Sequence, residues 1–272
     1  MQKPPFKAAF DCLSGSQKRW ITRVNMDYWS TLNRLAKQYV RIGPLKSQLT
    51  AMKDWQASIA AGVLPAHALP WLGLSTPQID AALTQPQAQL QELLQLDHLL
   101  HNFRRYIAFH DGMWSFVHED LFATWHRLYG PQRYLEVAAG NGYVSVGLRA
   151  QGDKTITTDA HTWTKENVTG RQPLVPVKTA TANAALFLYA QQVDAVVMAW
   201  SPDKDPNDVR FLHIMQHYFP TKQLFVIGER NGATNSRLFW QEARTVPDRR
   251  LFALNRAFGH FDAIHERVYR LQ

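Results

Sequence analysis

An apolar run that ends in a glycine turn constrains the fold of this chain more than any other segment. Leu135–Ala138 is apolar except for Glu136, and it stops at Gly140-Asn141-Gly142. Beyond the turn, Val144 and Leu148 recur at helical spacing. In such a strand, turn and helix, a ligand can approach uncrowded backbone and the free N–H groups of the helix N-terminus. The segment therefore predicts either a nucleotide-like ligand or a purely structural turn.

An acid that follows the next apolar segment favours the ligand. Thr155–Thr158 is predicted as a second strand, and it ends at Asp159. An acid in this place, about 20 residues beyond the glycine turn, binds ribose hydroxyls in doubly wound nucleotide folds. A carboxylate suits that role because it can accept hydrogen bonds from two neighbouring hydroxyls.

Further apolar segments alternate with helical ones, which indicates a parallel sheet covered on both faces. The third strand is predicted as a short edge strand because it contains prolines. Two late segments are expected to close the sheet as an antiparallel pair. The predicted fold class is α/β, with a doubly wound, mostly parallel seven-stranded sheet. Its remaining strands are Leu174–Val177, Val193–Ala199, Leu224–Glu229, Leu251–Leu254 and Val268–Leu271.

The first part of the chain has a different pattern. Apolar residues recur there at helical spacing, with glycine and proline between the helical segments. The pattern predicts a helical N-terminal domain over 1–108 that binds substrate or a partner, followed by a second domain over 109–272. The predicted helices are one containing Trp20 to Tyr39, then Leu45–Ala61, Thr76–Leu83 and Gln87–Phe109.

Three motifs together resemble a known family. Glu136 with Gly140-Asn141-Gly142, then Asp159, then Ala199–Pro202 resemble the class I, Rossmann-like S-adenosylmethionine-dependent methyltransferases. The resemblance covers the chain from Tyr134 onward and implies S-adenosyl-L-methionine as the cofactor. Amino-methylating members read Asp/Asn/Ser-Pro-Pro-aromatic at the fourth strand, whereas this chain has one proline there and an earlier aromatic residue. It is therefore similar to an orphan branch whose methyl acceptor is not implied.

The resemblance also implies which residues hold the cofactor. The glycine turn would contact its amino-acid end, the acid after the second strand its ribose, and the residues after the third strand its adenine. A glycine-broken segment before the first strand, Phe109–Phe116, would form a lid or pack the junction. The implied cofactor-binding residues are Glu136, Ala138, Gly140, Asn141, Gly142, Asp159, Ala160, Thr181, Ala182, Ala199, Trp200 and Trp114.

The residue that would act as a base is left open. Asp203, His110 and Glu229 are candidates because each lies where a strand or junction should open onto the carboxyl edge of the sheet. No metal site is predicted. The pair His213 and His217 lacks the glutamate that a hydrolytic zinc helix carries after its first histidine.

Two other functional interpretations of the glycine turn remain open. An NAD-type oxidoreductase would have a third glycine three residues after the second, where this chain has Ser145. A non-catalytic nucleotide-binding scaffold would keep the turn without the chemistry.

Charge and composition bear on partners and compartment. Residues 1–60 contain ten lysines and arginines and three aspartates, interleaved with aromatic residues. Such a basic segment predicts an anionic or RNA partner, or only a solvated face of a helical core. The single cysteine, Cys12, excludes an intramolecular disulfide, and no long apolar run follows the N-terminal charges. We therefore expect a cytoplasmic protein that does not enter membranes.

Overall fold

The computed structural model describes residues 28–162 and 172–272. Helices precede the sheet, and helices and strands then alternate. The helices before the sheet are α1 (28–38), α2 (Leu45–Ala60), α3 (Thr76–Leu83), α4 (Leu90–His101), α5 (Phe103–Asp111) and α6 (Glu119–Tyr129). The strands are β1 (Arg133–Val137), β2 (Lys154–Asp159), β3 (Lys178–Thr179), β4 (Ala195–Ala199), β5 (Gln223–Gly228) and β6 (Arg267–Leu271). The helices between them are α7 (Tyr143–Ala150), α8 (Ala182–Tyr189), α9 (Asn207–Tyr218), α10 (Arg237–Glu242) and α11 (Arg250–Phe258), with a short 3₁₀ turn at Ala190–Gln192.

The strands form one sheet in the order β3-β2-β1-β4-β5-β6. β1 lies parallel to both β2 and β4, and β5 continues the parallel set. β6 alone runs antiparallel, beside β5. The direction of strand addition reverses at β1, because β2 and β3 lie on one side and β4 and β5 on the other. The described chain is thus an α/β fold with a mostly parallel sheet.

The two faces of the sheet have separate hydrophobic cores because successive strand residues point to opposite faces. On one face, Tyr134, Val197 and Phe225 pack against the early helices, α7 and α11. On the other, alternate residues such as Leu135 and Val196 pack against α8, α9 and α10.

Two strand predictions are wrong. Leu251–Leu254 lies inside α11 rather than in a strand, so the described sheet has six strands and not seven. Leu254 and Phe258 are buried there at a helical spacing of four residues. The third strand is Lys178–Thr179 and not Leu174–Val177, because prolines cannot donate to a strand ladder and the N–H of Leu174 donates to the Asn141 carbonyl at 2.9 Å.

The helix predictions are refined in three places. The long helix predicted over Gln87–Phe109 is two helices, with a break at Asn102, whose side chain donates to the His98 carbonyl at 2.7 Å. α3 has its predicted bounds, and the structure adds that Ser75 is its N-cap, in a capping box with Gln78. Helix α6 was not predicted at all. Trp20 lies outside the described residues.

The division of the chain at residue 108 stays a prediction. Buried residues of α4 and α5, such as Leu96 and Phe103, belong to the same hydrophobic cluster as Phe225 of the sheet. The described early helices therefore share a core with the sheet rather than enclosing one of their own. Over the described ranges, no helix has both the length and the apolar character needed to cross a bilayer.

Candidate functional site

The candidate site lies where the order of the sheet reverses. β1 has β2 on one side and β4 on the other, and Val137 of β1 faces Met198 of β4 in the register. In doubly wound sheets, ligands bind in the crevice beyond the carboxyl ends of the two strands at this switch point. The residues that follow β1, β2 and β4 meet at this edge.

Strained backbone marks the same edge. Ala138 after β1, His161 after β2 and Trp200 after β4 all have positive φ, at 52°, 55° and 53°. Residues other than glycine rarely adopt a positive φ, because it costs them about 1–2 kcal/mol each. Such strain tends to collect where a site requires a particular backbone path. Its presence after three strands supports the switch point as the functional edge.

The glycine turn takes the left-handed conformation that its sequence predicts. Gly140 has a φ of 55° and Gly142 a φ of 80°. The turn closes with a hydrogen bond from the Gly142 N–H to the Ala139 carbonyl at 2.8 Å, and α7 begins directly after it. Ala138 is exposed at the start of the turn. Gly142 is crowded, since a Cβ there would lie 2.6 Å from Cγ2 of Val175.

Asp159 turns its carboxylate toward the glycine turn. Its Oδ2 accepts the Gly140 N–H at 2.8 Å, and its Oδ1 accepts the His161 N–H at 2.6 Å. The residue is only 4% exposed. Asp159 therefore joins the ends of the first and second strands.

Glu136 is a second buried carboxylate beneath the turn. Its Oε2 accepts the Ser145 N–H, in the first turn of α7, at 2.8 Å. Burial raises the pKa of Glu136 to about 7, an effect that its hydrogen bonds with Ser145 only partly oppose. Ser145 also shares a hydrogen bond of 2.6 Å between its Oγ and Oγ1 of Thr157. Ser145, where a dinucleotide fold would have its third glycine, is thus an integral part of this polar cluster.

Two hydrogen bonds connect the end of α5 to the glycine turn and the start of α7. The main-chain carbonyl of Asp111 accepts Nδ2 of Asn141 at 2.9 Å and the hydroxyl of Tyr143 at 2.8 Å. The side chain of Asn141 therefore positions the turn. Burial raises the pKa of the Asp111 carboxyl to about 6. Sequence reasoning gave Asp111 no role, although it lies within the segment Phe109–Phe116 that was singled out.

The segment after β3 lies beside Asp159. The Ala180 N–H donates to the Asp159 carbonyl at 3.0 Å, and Thr181 begins α8. The Thr181 hydroxyl accepts the Ala184 N–H at 3.2 Å, so the side chain caps this helix. Thr181 is exposed and Ala182 half-buried, at the β3 end of the crevice.

Two tryptophans meet on the β4 side of the site. Trp200 follows Ala199 at the end of β4, and its N–H donates to the Ile227 carbonyl at 2.9 Å. The rings of Trp114 and Trp200 have centroids 6.2 Å apart and an angle of 34° between their planes. Trp114 is 42% exposed. The structure therefore brings the predicted lid residue Trp114 to the end of the fourth strand.

The three candidate bases have different surroundings. Oδ1 of Asp203 is buried without a hydrogen-bond partner in the described part of the chain, as is Nε2 of His110, whose pKa is lowered by burial. Both carboxylate oxygens of Glu229 are engaged, since they accept the N–H groups of Ala233 and His265 at 2.9 Å each. Glu229 therefore orders its own loop.

Sequence reasoning missed a buried charged group behind the tryptophans. Arg104 of α5 is paired with Asp262 and Glu266, which lie more than 150 residues further along the chain. All three are at most 6% exposed. Spacing along the sequence contains no signal for such a cluster, and only an arginine in an otherwise apolar helix face could have suggested it.

The fold and the site define an α/β protein with a mostly parallel sheet, helices on both faces, and a polar cluster at the switch point of that sheet. Solved structures with some similarity include a variant of MtNAS in complex with S-adenosylmethionine, 11% identical over 90% of this chain and 97% of that chain, with a TM-score of 0.36. TehB from Haemophilus influenzae is 12% identical over 62% of this chain and 65% of that chain, with a TM-score of 0.31. The mitomycin 7-O-methyltransferase MmcR is 13% identical over 82% and 67% of the two chains, with a TM-score of 0.30. No family model and no curated protein matches the sequence. Identities and TM-scores this low carry no functional argument, so any functional assignment has to rest on the site's geometry.

Proposed function

We propose that this protein is an S-adenosylmethionine-dependent methyltransferase whose cofactor lies over the glycine turn at the switch point. One observation carries the proposal. The N–H groups of Gly140 and Ser145, which a phosphate-binding turn would offer to its ligand, donate instead to the carboxylates of Asp159 and Glu136. A turn lined by two buried carboxylates suits a cationic nucleoside.

The same observation disfavours a dinucleotide. A pyrophosphate at this helix N-terminus would have to compete with Asp159 for the Gly140 N–H and with Glu136 for the Ser145 N–H. The sheet differs as well, since β6 is antiparallel whereas a fold built from two βαβαβ halves keeps its last strand parallel. Both features support a nucleoside without phosphates.

The residues present fit the proposed cofactor. Ala138 is exposed at the start of the turn, two residues after the buried Glu136, whose carboxylate would stabilise the ammonium group of the cofactor's amino-acid end. Asp159 ends β2, where the acid of a doubly wound nucleotide fold binds ribose hydroxyls. Ala160, Thr181 and Ala182 lie toward the β3 end, where the adenine would be held. S-adenosylmethionine, when bound, supplies an activated methyl group on a sulfonium sulfur.

The chain itself has to orient the acceptor and remove a proton where the acceptor carries one. Asp203 follows β4 by four residues and has a buried carboxylate oxygen with no partner among the described residues. Of the three candidates, it is the carboxylate best placed to accept that proton. His110 is the second candidate, because burial lowers its pKa and keeps the imidazole neutral at physiological pH. The engaged carboxylate of Glu229 makes it the least suited.

Calorimetric titration of the full chain with S-adenosylmethionine and S-adenosylhomocysteine tests the proposal. We expect both to bind, and NAD not to bind. In Asp159→Ala, binding should be lost, whereas Asp203→Ala should keep binding and lose methyl transfer. Binding of NAD alone would overturn the proposal.

The Asp159 variant needs a control for folding, because its carboxylate also joins two strand ends. Asp194→Ala removes another strand-end carboxylate that accepts a main-chain N–H, from Arg133 at 2.9 Å, at the opposite edge of the sheet. We expect Asp194→Ala to lose stability and keep cofactor binding. If both variants lose binding in proportion to their stability, Asp159 has no binding role. Retained binding without methyl transfer to any acceptor would instead favour the non-catalytic scaffold.

A further inference from the structure

The buried guanidinium of Arg104 is linked by hydrogen bonds to both tryptophans of the site. Nη1 of Arg104 donates to the main-chain carbonyl of Trp114 at 3.2 Å and to Oε2 of Glu266 at 2.7 Å. Oε1 of Glu266 in turn accepts the indole N–H of Trp200. Asp262 holds the guanidinium from its other edge, through bonds of 2.6 and 3.2 Å. The positions of both indoles therefore depend on one network.

Stability alone is a weak explanation for this network. Removing charged groups from water is costly, and well-packed apolar residues can often replace a buried ion pair without loss of stability. The guanidinium is also packed against aromatic rings, 4.7 Å from the centroid of Phe116 and 5.3 Å from that of Trp200. An apolar core in this place would make no hydrogen bonds to the two tryptophans, whereas the charged network makes them and so positions both residues.

The tryptophans lie apart from the place proposed for ribose and adenine. Asp159 ends β2 and Trp200 follows β4, on opposite sides of β1. Neighbouring strands lie about 4.8 Å apart, so these strand ends are separated by about 10 Å. A ring on the tryptophans therefore approaches the crevice from the side opposite the nucleoside.

The geometry also selects the face that is available. A ring between the two indoles would need about 7 Å, twice the ~3.5 Å contact distance of carbon atoms, whereas their centroids are 6.2 Å apart. Arg104 lies over the ring of Trp200. The exposed surface of Trp114 is thus the free stacking surface of the pair.

We propose that Trp114, supported by Trp200 and the network of Arg104, Asp262 and Glu266, is a stacking platform for the methyl acceptor, which presents a flat aromatic ring. This proposal rests on the proposed function. It moves Trp114 from the cofactor side of the site to the acceptor side. Aromatic stacking on a tryptophan contributes about 1–3 kcal/mol per ring when measured by alanine substitution. The ring can belong to a free small molecule or to an RNA base.

Binding of 2-naphthol, compared with its saturated analogue decahydro-2-naphthol, tests the platform. At neutral pH both are uncharged and share one fused two-ring carbon skeleton with one hydroxyl, so flatness and aromaticity are the main difference between them. We expect the full chain to bind 2-naphthol more tightly than the saturated alcohol, with S-adenosylhomocysteine present or absent. Equal binding of the two alcohols overturns the platform. Displacement of 2-naphthol by S-adenosylhomocysteine also overturns it, because the ring would then occupy the cofactor's own place.

Substitutions assign the binding to the tryptophan. Trp114→Ala should weaken 2-naphthol binding about tenfold, which corresponds to about 1.4 kcal/mol, and Trp114→Phe should restore most of it. Trp71→Ala is the matched control, since Trp71 is 52% exposed and its ring contacts His101 rather than Trp114 or Trp200. Unchanged binding in Trp114→Ala, or an equal loss in Trp71→Ala, contradicts the proposal. Binding of S-adenosylhomocysteine to the same variants is measured in parallel, and its absence in the unaltered chain counts against the proposed function instead.

Glu266 is tested as a positioning residue by a conservative pair. Glu266→Gln keeps one oxygen that can accept the Trp200 indole N–H but sets an amide N–H₂ against Nη1 of Arg104, whereas Glu266→Ala removes both acceptors. We expect Gln to keep part of the 2-naphthol binding and Ala to lose about as much as Trp114→Ala, with a change in the near-ultraviolet circular dichroism of the indoles. Full binding in a folded Glu266→Ala variant would contradict the positioning role.

The two sources of a flat ring are separated by a short oligoadenylate. If the ring is an RNA base, the oligonucleotide should compete with 2-naphthol, and its affinity should fall steeply with salt because phosphates are neutralised. If the acceptor is a free small molecule, 2-naphthol should bind and the oligonucleotide should not compete. Both results support the platform and identify the source.

Discussion

Glu136 should make the protein less stable as the pH rises through neutrality. Burial raises its pKa from the ordinary 4.5 to about 7. Between these values the unfolded chain releases the proton while the folded chain keeps it, so the free energy of unfolding falls as pH rises. At about 1.36 kcal/mol per pKa unit, the loss reaches about 3 kcal/mol above pH 7.

Glu136→Gln removes this titration and keeps an oxygen for the Ser145 N–H. We therefore expect the variant to be close to the unaltered chain in stability near pH 4.5 and about 3 kcal/mol more stable near pH 8. Guanidinium unfolding of both proteins at several pH values measures the difference. Other groups that titrate in this range, such as the carboxyl of Asp111 with its pKa of about 6, cancel in that difference.

The control is Glu119→Gln, which neutralises an exposed glutamate at the start of α6. Its effect on stability should be the same at about pH 6 and about pH 8. A difference between Glu136→Gln and the unaltered chain that is equally constant across this range would refute the reasoning, because it would mean that Glu136 is already ionised in the folded protein.

Three further predictions concern the same part of the fold. S-adenosylmethionine should release a fraction of a proton from Glu136 near pH 7, since a nearby cation lowers the pKa of a carboxyl. Calorimetric titrations in buffers of different ionisation enthalpy detect this proton release, and Glu136→Gln should show no release. Gly147→Ala should destabilise the fold by about 1–3 kcal/mol in thermal unfolding, because its Cβ would lie 1.9 Å from the buried ring of Phe122, whereas Gly43→Ala meets open space and should change little. Ala138→Gly should raise the free energy of unfolding by up to about 1 kcal/mol, because it relieves a positive φ, and urea unfolding should show this as a higher midpoint.

The predictable parts of the fold have local causes. The glycine turn, β1, β2, β4, β5 and β6 were predicted close to their observed places, because buried strands give continuous apolar runs and left-handed turns favour glycine. The failure at the predicted sixth strand has a tertiary cause. Leu251–Leu254 is short enough to suit either a strand or a helix, and only burial against the sheet selected the helix.

The sequence by itself determined the order of elements, the glycine turn, the acid within strand one and the acid that ends strand two. Each depends on residue types within a few positions of one another. The tertiary structure decided where the carboxylates of Glu136 and Asp159 point, that Asn141 is fastened to the end of α5, and that Arg104 holds two tryptophans together. The physical reason is that these contacts join residues from 9 to 162 positions apart, and hydrogen bonds of that kind form only after the chain has packed.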